Sequence, residues 1–214
     1  MTLKLEVMVT GPLNNNVSIL YDDATNKSLV FDPSFGPEAL LDFIQQHGLI
    51  VESILLTHGH FDHFAGVRWL ESKLPQRPAL GMHRNDLELM RKGGASKNFY
   101  MPVPPPDDPD FFVEDGQVLH LGTYPIEVRL APGHTAGSVI FFIEDLDCAV
   151  CGDVIFYHGI GRTDFEGGDY DTLIMSIERQ VFTLSPETRL IPGHGEETTV
   201  REEITYSPFF NPPD

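Results

Sequence analysis

Four short segments of this chain place histidines or aspartates beside glycines at points where β-forming runs end. The densest is Thr57-His58-Gly59-His60-Phe61-Asp62-His63, which follows the apolar run at 53–56 and opens a helical pattern. Ala131-Pro132-Gly133-His134-Thr135, Cys151-Gly152-Asp153 and Ile191-Pro192-Gly193-His194-Gly195 repeat the design. A glycine at each turn lets the backbone bend tightly and brings the neighbouring side chain in at no steric cost. Packing has no use for three imidazoles and a carboxylate within six residues. A chain that spends its strand ends in this way has to be built on sheets.

The remaining pattern agrees. Residues 3–9, 17–21 and 29–31 read as short strands separated by turn residues, an antiparallel opening. Leu40, Leu41 and Ile44 recur at helical spacing after Pro37 and stop near Gly48. A strand at 53–56, a helix over 62–74, a strand at 80–82 and a short helix over 85–92 follow. Residues 93–111 carry two glycines and five prolines and predict a long loop, with Phe99, Tyr100, Phe111 and Phe112 giving it something to pack. Strands are then expected near 118–121, 126–130, 139–143 and 148–150, a helix over 170–182 and a strand at 188–191. Two runs of strands, each succeeded by helices, predict two sheets with helices outside.

Charge narrows the partners. The net charge is −18, which disfavours nucleic acid and anionic membrane surfaces, since both need a basic footprint. No stretch reaches the roughly 18–20 apolar residues of a membrane span. Met1-Thr2-Leu3-Lys4 does not begin like a signal peptide, so the expected location is cytoplasmic. Cys148 and Cys151 stand three apart on a strand and face opposite sides, which fits core packing better than a shared redox or metal role. The four histidine and aspartate segments supply five histidines and two aspartates, enough for two divalent ions with Asp153 shared. Nitrogen and carboxylate donors suit zinc, iron or manganese.

His-x-His-x-Asp-His, followed by Gly-His, Gly-Asp and Gly-His at long intervals, resembles the metallo-β-lactamase superfamily. Asp32, in Phe31-Asp32-Pro33, matches that family's first-motif aspartate, a supporting residue near the metals. The resemblance implies an α/β fold of four layers, an αβ/βα sandwich of two mixed sheets flanked by helices. It also implies one domain over 1–214. By matched position, His58, His60 and His134 would hold a first metal, and Asp62, His63 and His194 a second, with Asp153 bridging. Zinc is the first expectation for both ions, and Asp62 and Asp153 are the expected catalytic carboxylates.

The stretch from Gly152 to Phe165, with Gly161-Arg162-Thr163-Asp164-Phe165, resembles short glyoxalase II-like hydrolases and persulfide dioxygenases. The activity this implies is hydrolysis of a small-molecule thioester such as S-D-lactoylglutathione by a metal-bridging hydroxide. The alternative it implies is a one-iron persulfide dioxygenase using His58, His134 and Asp153. Arg162 stands where glyoxalase II proper carries a lysine for a glutathione carboxylate; it either takes that carboxylate or pairs with Asp164 to stiffen the turn. His158, which follows the Asp153 strand, is a candidate for the substrate mouth, with a plain loop role as the alternative. Two features depart from glyoxalase II proper: its C-terminal helical glutathione-binding domain is not expected here, and Gly195-Glu196 follows His194 in place of its tyrosine.

Overall fold

The computed structural model describes residues 2–211, so both ends of the expected 1–214 domain lie outside the described residues. Six strands form the first sheet in chain order: β1 (Leu3–Thr10), β2 (Asn15–Asp22), β3 (Lys27–Phe31), β4 (Ile50–Leu55), β5 (Ala79–His83) and β6 (Phe111–Val113). The first three pair antiparallel; β3 through β6 pair parallel. Parallel neighbours need crossovers, and helices supply them. These are α1 (Glu38–His47), α2 (Phe61–Phe64), α3 (Val67–Lys73) and α4 (Leu87–Arg91).

The second sheet contains β7 (Val118–Leu121), β8 (Tyr124–Leu130), β9 (Val139–Ile143) and β10 (Cys148–Gly152) as an antiparallel run. A small hairpin, β11 (Ile155–Phe156) and β12 (Gly159–Ile160), stands apart. After α5 (Tyr170–Ser176), β13 (Arg189–Pro192) joins β10 in parallel, and β14 (Thr198–Thr199) closes the edge before α6 (Val200–Tyr206).

Strand alternation explains the four layers. On β2, Ile19 packs under the first helical layer while Leu20 points between the sheets; Ile54 and Leu55 divide in the same way on β4. On β10, Cys148 and Val150 enter the space between the sheets, and Ala149 and Cys151 lie beneath α5. Both thiols are free and buried, and burial pushes that of Cys148 up to about 12. Strands covered on both faces have no polar side to display, which is why β2 and β10 read as near-continuous buried runs.

The expected helix over 62–74 is two helices. The chain breaks at Gly66, whose N–H leaves the helical ladder and donates to the carbonyl of Pro33 at 2.8 Å. The expected loop over 93–111 contains a 3-10 turn at Ser96–Phe99 and ends in β6, where Phe111 and Phe112 add an edge strand to β5. The helix expected over 170–182 tightens into α5 and then widens into a π turn at Ile177–Val181. The hairpin and α6 answer to no expectation above. No described helix is long and apolar enough to cross a membrane.

Candidate metal centre

The C-terminal ends of β4, β8, β10 and β13 meet along one edge between the two sheets. His58, His60, Asp62 and His63 follow β4, His134 follows β8, Asp153 follows β10 and His194 follows β13. The structure brings all seven together. His58 Nε2 lies 3.1 Å from His60 Nδ1, which lies 2.9 Å from His134 Nε2. On the other side, His194 Nε2 is 3.2 Å and His63 Nε2 is 3.6 Å from Asp62 Oδ2. Asp153 stands between the groups. Its Oδ2 is 3.6 Å from His134 Nε2, and its Oδ1 is 3.4 Å from His63 Nε2 and 3.7 Å from His194 Nε2.

Donor atoms around a tetrahedral ion with bonds of 2.0–2.1 Å stand roughly 3.3 Å apart. The observed spacings bracket that value. His63 Nε2 and Asp153 Oδ1 are buried with no hydrogen-bond partner. A polar atom left this way inside a protein is costly, and a cation between the two groups satisfies both. Gly193 keeps the space open, since a Cβ there would lie 2.2 Å from Asp153 Oδ1. The residues fit a pair of divalent ions.

The outward-facing nitrogens fix the tautomers. His63 Nδ1 donates to Asp32 Oδ2 at 2.9 Å, His134 Nδ1 to the Arg162 carbonyl at 2.7 Å and His194 Nδ1 to the Leu13 carbonyl at 3.0 Å. His58 Nδ1 donates to Thr57 Oγ1 at 3.0 Å, and that hydroxyl donates to Asp32 at 2.6 Å. Each bond turns the Nε2 lone pair inward, as ligation requires. His60 differs: its Nδ1 faces the cluster, its Nε2 has no partner, and its ring packs edge-on against Phe165.

Protonation follows burial and neighbours. Burial, and then the charges of the surrounding histidines, push His58 well below its ordinary value; burial and His134 take His60 to about 3. Burial drives Asp62 up, but His63 and hydrogen bonds from His194 and Asn15 outweigh it and hold the carboxyl at about 2. His63 behaves oppositely. Burial lowers it, yet Asp153, Asp62 and Asp32 together raise it well above the usual imidazole range. A cation entering here displaces that proton.

A model of the metallo-beta-lactamase superfamily matches residues 10–194. This chain belongs to that superfamily. Relatives match it over most of its length: the probable metallo-hydrolase YqgX of Bacillus subtilis is 33% identical over 98% of both chains. The hydroxyacylglutathione hydrolase GloC of Haemophilus influenzae is 33% identical over 98% of this chain and 99% of its own. The human mitochondrial persulfide dioxygenase ETHE1 is 30% identical over 89% of this chain and 69% of its own. Among solved structures, the B3 metallo-beta-lactamase BLEG-1 superimposes with a TM-score of 0.90 at 30% identity, covering 97% and 99% of the two chains. TTHA1623 in a di-iron-bound form gives 0.84 at 33%, covering 95% and 99%. The two mixed sheets flanked by helices are the superfamily sandwich, and the chain is a metal-binding enzyme of that superfamily.

Above the metallo-beta-lactamase cluster lies a pocket of about 220 Å³ walled by Leu13, Phe61, Phe99 and Phe165. Phe99 comes from the 93–111 segment, and its ring meets Phe61 at 5.3 Å and Phe165 at 5.9 Å. Arg162 reaches the rim, with its guanidinium 3.7 Å above the Phe165 ring and a bidentate pair to Asp164 at 2.7 and 2.6 Å.

His158 is a correction. It does not line this pocket; its Nε2 is bonded to Glu202 at 3.0 Å, its ring stacks on Tyr157, and its backbone N–H is held by buried Glu203. The β11–β12 hairpin causes this. Its turn carries His158 in a left-handed conformation, φ 52°, away from the metal edge and towards α6.

Sequence reasoning missed the polar frame of the site. Asn15 donates to Asp62 Oδ2 at 2.9 Å. Asn16 Nδ2 brackets the His194 turn, donating to Pro192 O and Gly195 O at 2.9 Å each. Asp86 ties together the two loops that carry His58, His60 and His134. In the sequence these residues look like turn formers and helix caps.

Proposed function

We propose that this enzyme is a hydrolase of small-molecule thioesters, S-D-lactoylglutathione being the type substrate. It would work with two divalent ions, zinc first among them. His58, His60 and His134 would hold one ion, Asp62, His63 and His194 the other, and Asp153 would serve both. The observation that carries this reading is Asp153 itself, whose two oxygens face opposite trios at 3.4–3.7 Å. When bound, such a pair of ions lowers the pKa of a shared water to about 7 and polarises the carbonyl under attack.

The chain's own residues do the rest. Asp62 and Asp153 are both held ionised at the floor of the pocket, where a carboxylate can accept the proton of an attacking water. Leu13, Phe61, Phe99 and Phe165 shed water around the acyl group. A thiol with a pKa near 8.5 leaves as thiolate without a general acid, so a thioester makes little demand on the site for a proton donor. Arg162 at the rim would meet a thiol-carrier carboxylate. Its bond to Asp164 is exposed and worth about 0–1 kcal/mol, so a substrate carboxylate displaces it cheaply. The activity named for GloC, over nearly the full length of both chains, supports the reading.

One observation favours a second reading. His58, His134 and Asp153 alone make a two-histidine, one-carboxylate set, the donor pattern of non-haem iron oxygenases, and a persulfide dioxygenase is among the relatives. Metal analysis with three substrate arms separates them. Two ions per chain with turnover of S-D-lactoylglutathione is the expected outcome. A single iron with oxygen uptake on glutathione persulfide would overturn it. Hydrolysis of a β-lactam alone would overturn both.

A further inference from the structure

We propose that Asp86 is a positioning residue that sets the spacing of the first trio, His58, His60 and His134. The inference rests on a metal held by that trio and is independent of the substrate cleaved. Asp86 sits in the 3-10 turn Arg84–Asp86 that follows β5, and it is 1% exposed. It belongs to none of the ligand groups, does not line the pocket and has no lysine or arginine partner among the described residues. What it has is three donors. Its Oδ2 accepts from Gly59 N–H at 2.8 Å and from Thr135 Oγ1 at 2.6 Å; its Oδ1 accepts from Gly137 N–H at 2.7 Å.

The identity of the donors gives the arrangement its meaning. Gly59 separates His58 from His60, and Thr135 follows His134. One carboxylate therefore grips both loops that supply the first trio, one from each sheet. Contact is close on both sides. A Cβ on Gly59 would lie 2.9 Å from the Asp86 carbonyl oxygen, and one on Gly137 would lie 2.7 Å from Asp86 Cγ. Asn85 extends the grip by donating to Ala136 O at 3.2 Å, and Ser138 Oγ closes the turn against Thr135 at 2.7 Å.

A buried carboxylate without a cation is an expensive way to join two loops, and an apolar side chain would fill the same volume at lower cost. No apolar side chain accepts three hydrogen bonds from two loops in fixed directions. The charge makes those bonds short and stiff. The buried carboxylate therefore fits a spacing role better than a packing role. Around metal sites, partners of this kind typically change affinity by about 10–100-fold when removed.

The experiment uses the full chain carrying His194→Ala, which removes a ligand of the second trio and leaves the first trio whole. Zn²⁺ affinity is measured by competition with a chromophoric chelator, and thermal unfolding of the metal-free protein is followed in parallel. Asp86→Asn preserves shape but turns an amide N–H₂ towards donors; the expected result is a Zn²⁺ affinity lower by about 10–100-fold. Thr135→Val removes one of the three donors, retains the fold if Asp86→Asn does not, and should lower affinity by a smaller factor in the same direction. Variants that melt earlier without metal yet bind Zn²⁺ as tightly as their parent would overturn the proposal and make Asp86 a structural brace. A parent that binds no Zn²⁺ would overturn the metal centre, and the spacing role with it.

Discussion

In the trio of His58, His60 and His134 every ligand is buried, with exposures of 1%, 5% and 2%. In the trio of Asp62, His63 and His194, the His194 side chain is 27% exposed. The supports differ as well. In the closed half Thr57 links His58 to Asp32 and Asp86 holds both ligand loops through Gly59 and Thr135, while the outer nitrogen of His134 meets the Arg162 carbonyl. The open half shares Asp32 through His63, but its outermost ligand hangs from one backbone carbonyl, that of Leu13, inside a turn bracketed by Asn16. A ligand fixed by a single neutral bond near solvent is easier to displace than one fixed by a buried carboxylate. The difference sets up a contrast that can be tested: an ion held by the closed half should be bound more tightly than one held by the open half.

The largest expected effect comes from breaking the closed half. His134→Ala removes a ligand that both the two-ion and the one-iron readings use, and activity of either kind should fall by orders of magnitude with loss of tightly bound metal on elemental analysis. His194→Ala breaks only the open half. One ion per chain should remain while thioester hydrolysis falls steeply; full hydrolysis with one iron bound would show that the open half holds no catalytic ion.

Asn16→Ala is the subtler cut. Losing the two bonds to Pro192 O and Gly195 O frees the His194 turn, and a Zn²⁺ titration should show the weaker of two binding steps loosened by about 10–100-fold with the tighter one unmoved. Equal weakening of both steps would erase the distinction between the halves. Arg162→Ala tests the rim. Loss of a charge-assisted contact worth roughly 1.5–3 kcal/mol predicts about a 10- to 150-fold lower kcat/KM on glutathione thioesters and little change on thioesters lacking the carboxylate. Lysine at this position should restore part of the loss. Smallest is Phe99→Ala. KM for bulky acyl groups should rise a few-fold at constant metal content, because the residue touches the pocket wall and no ligand.

The seven clustered residues were legible because each announces itself locally. Histidine or aspartate beside glycine at the end of a β run is a short-range signal, and strand ends that share an edge converge whatever the detailed packing. Two sheets with helices outside were legible from the order of strand and helix patterns, whereas the four-layer sandwich followed from the family resemblance. Cys148 and Cys151 could be assigned to opposite faces from strand geometry alone, and they occupy different cores.

Other features depend on where distant segments land. Asp86 reads as part of a helix start, and only the arrival of Gly59, Thr135 and Gly137 around it turns a capping residue into a three-donor hub. Asn15 and Asn16 read as a turn until β13 delivers the His194 loop beside them. His158 follows the Asp153 strand closely in sequence, yet a two-residue strand pair too short to carry a pattern swings it towards Glu202. Local sequence set which side chains could ligate, because ligand chemistry belongs to the residue. Tertiary structure decided which polar groups hold them, because a hydrogen bond between segments dozens of residues apart leaves no periodic trace in either one.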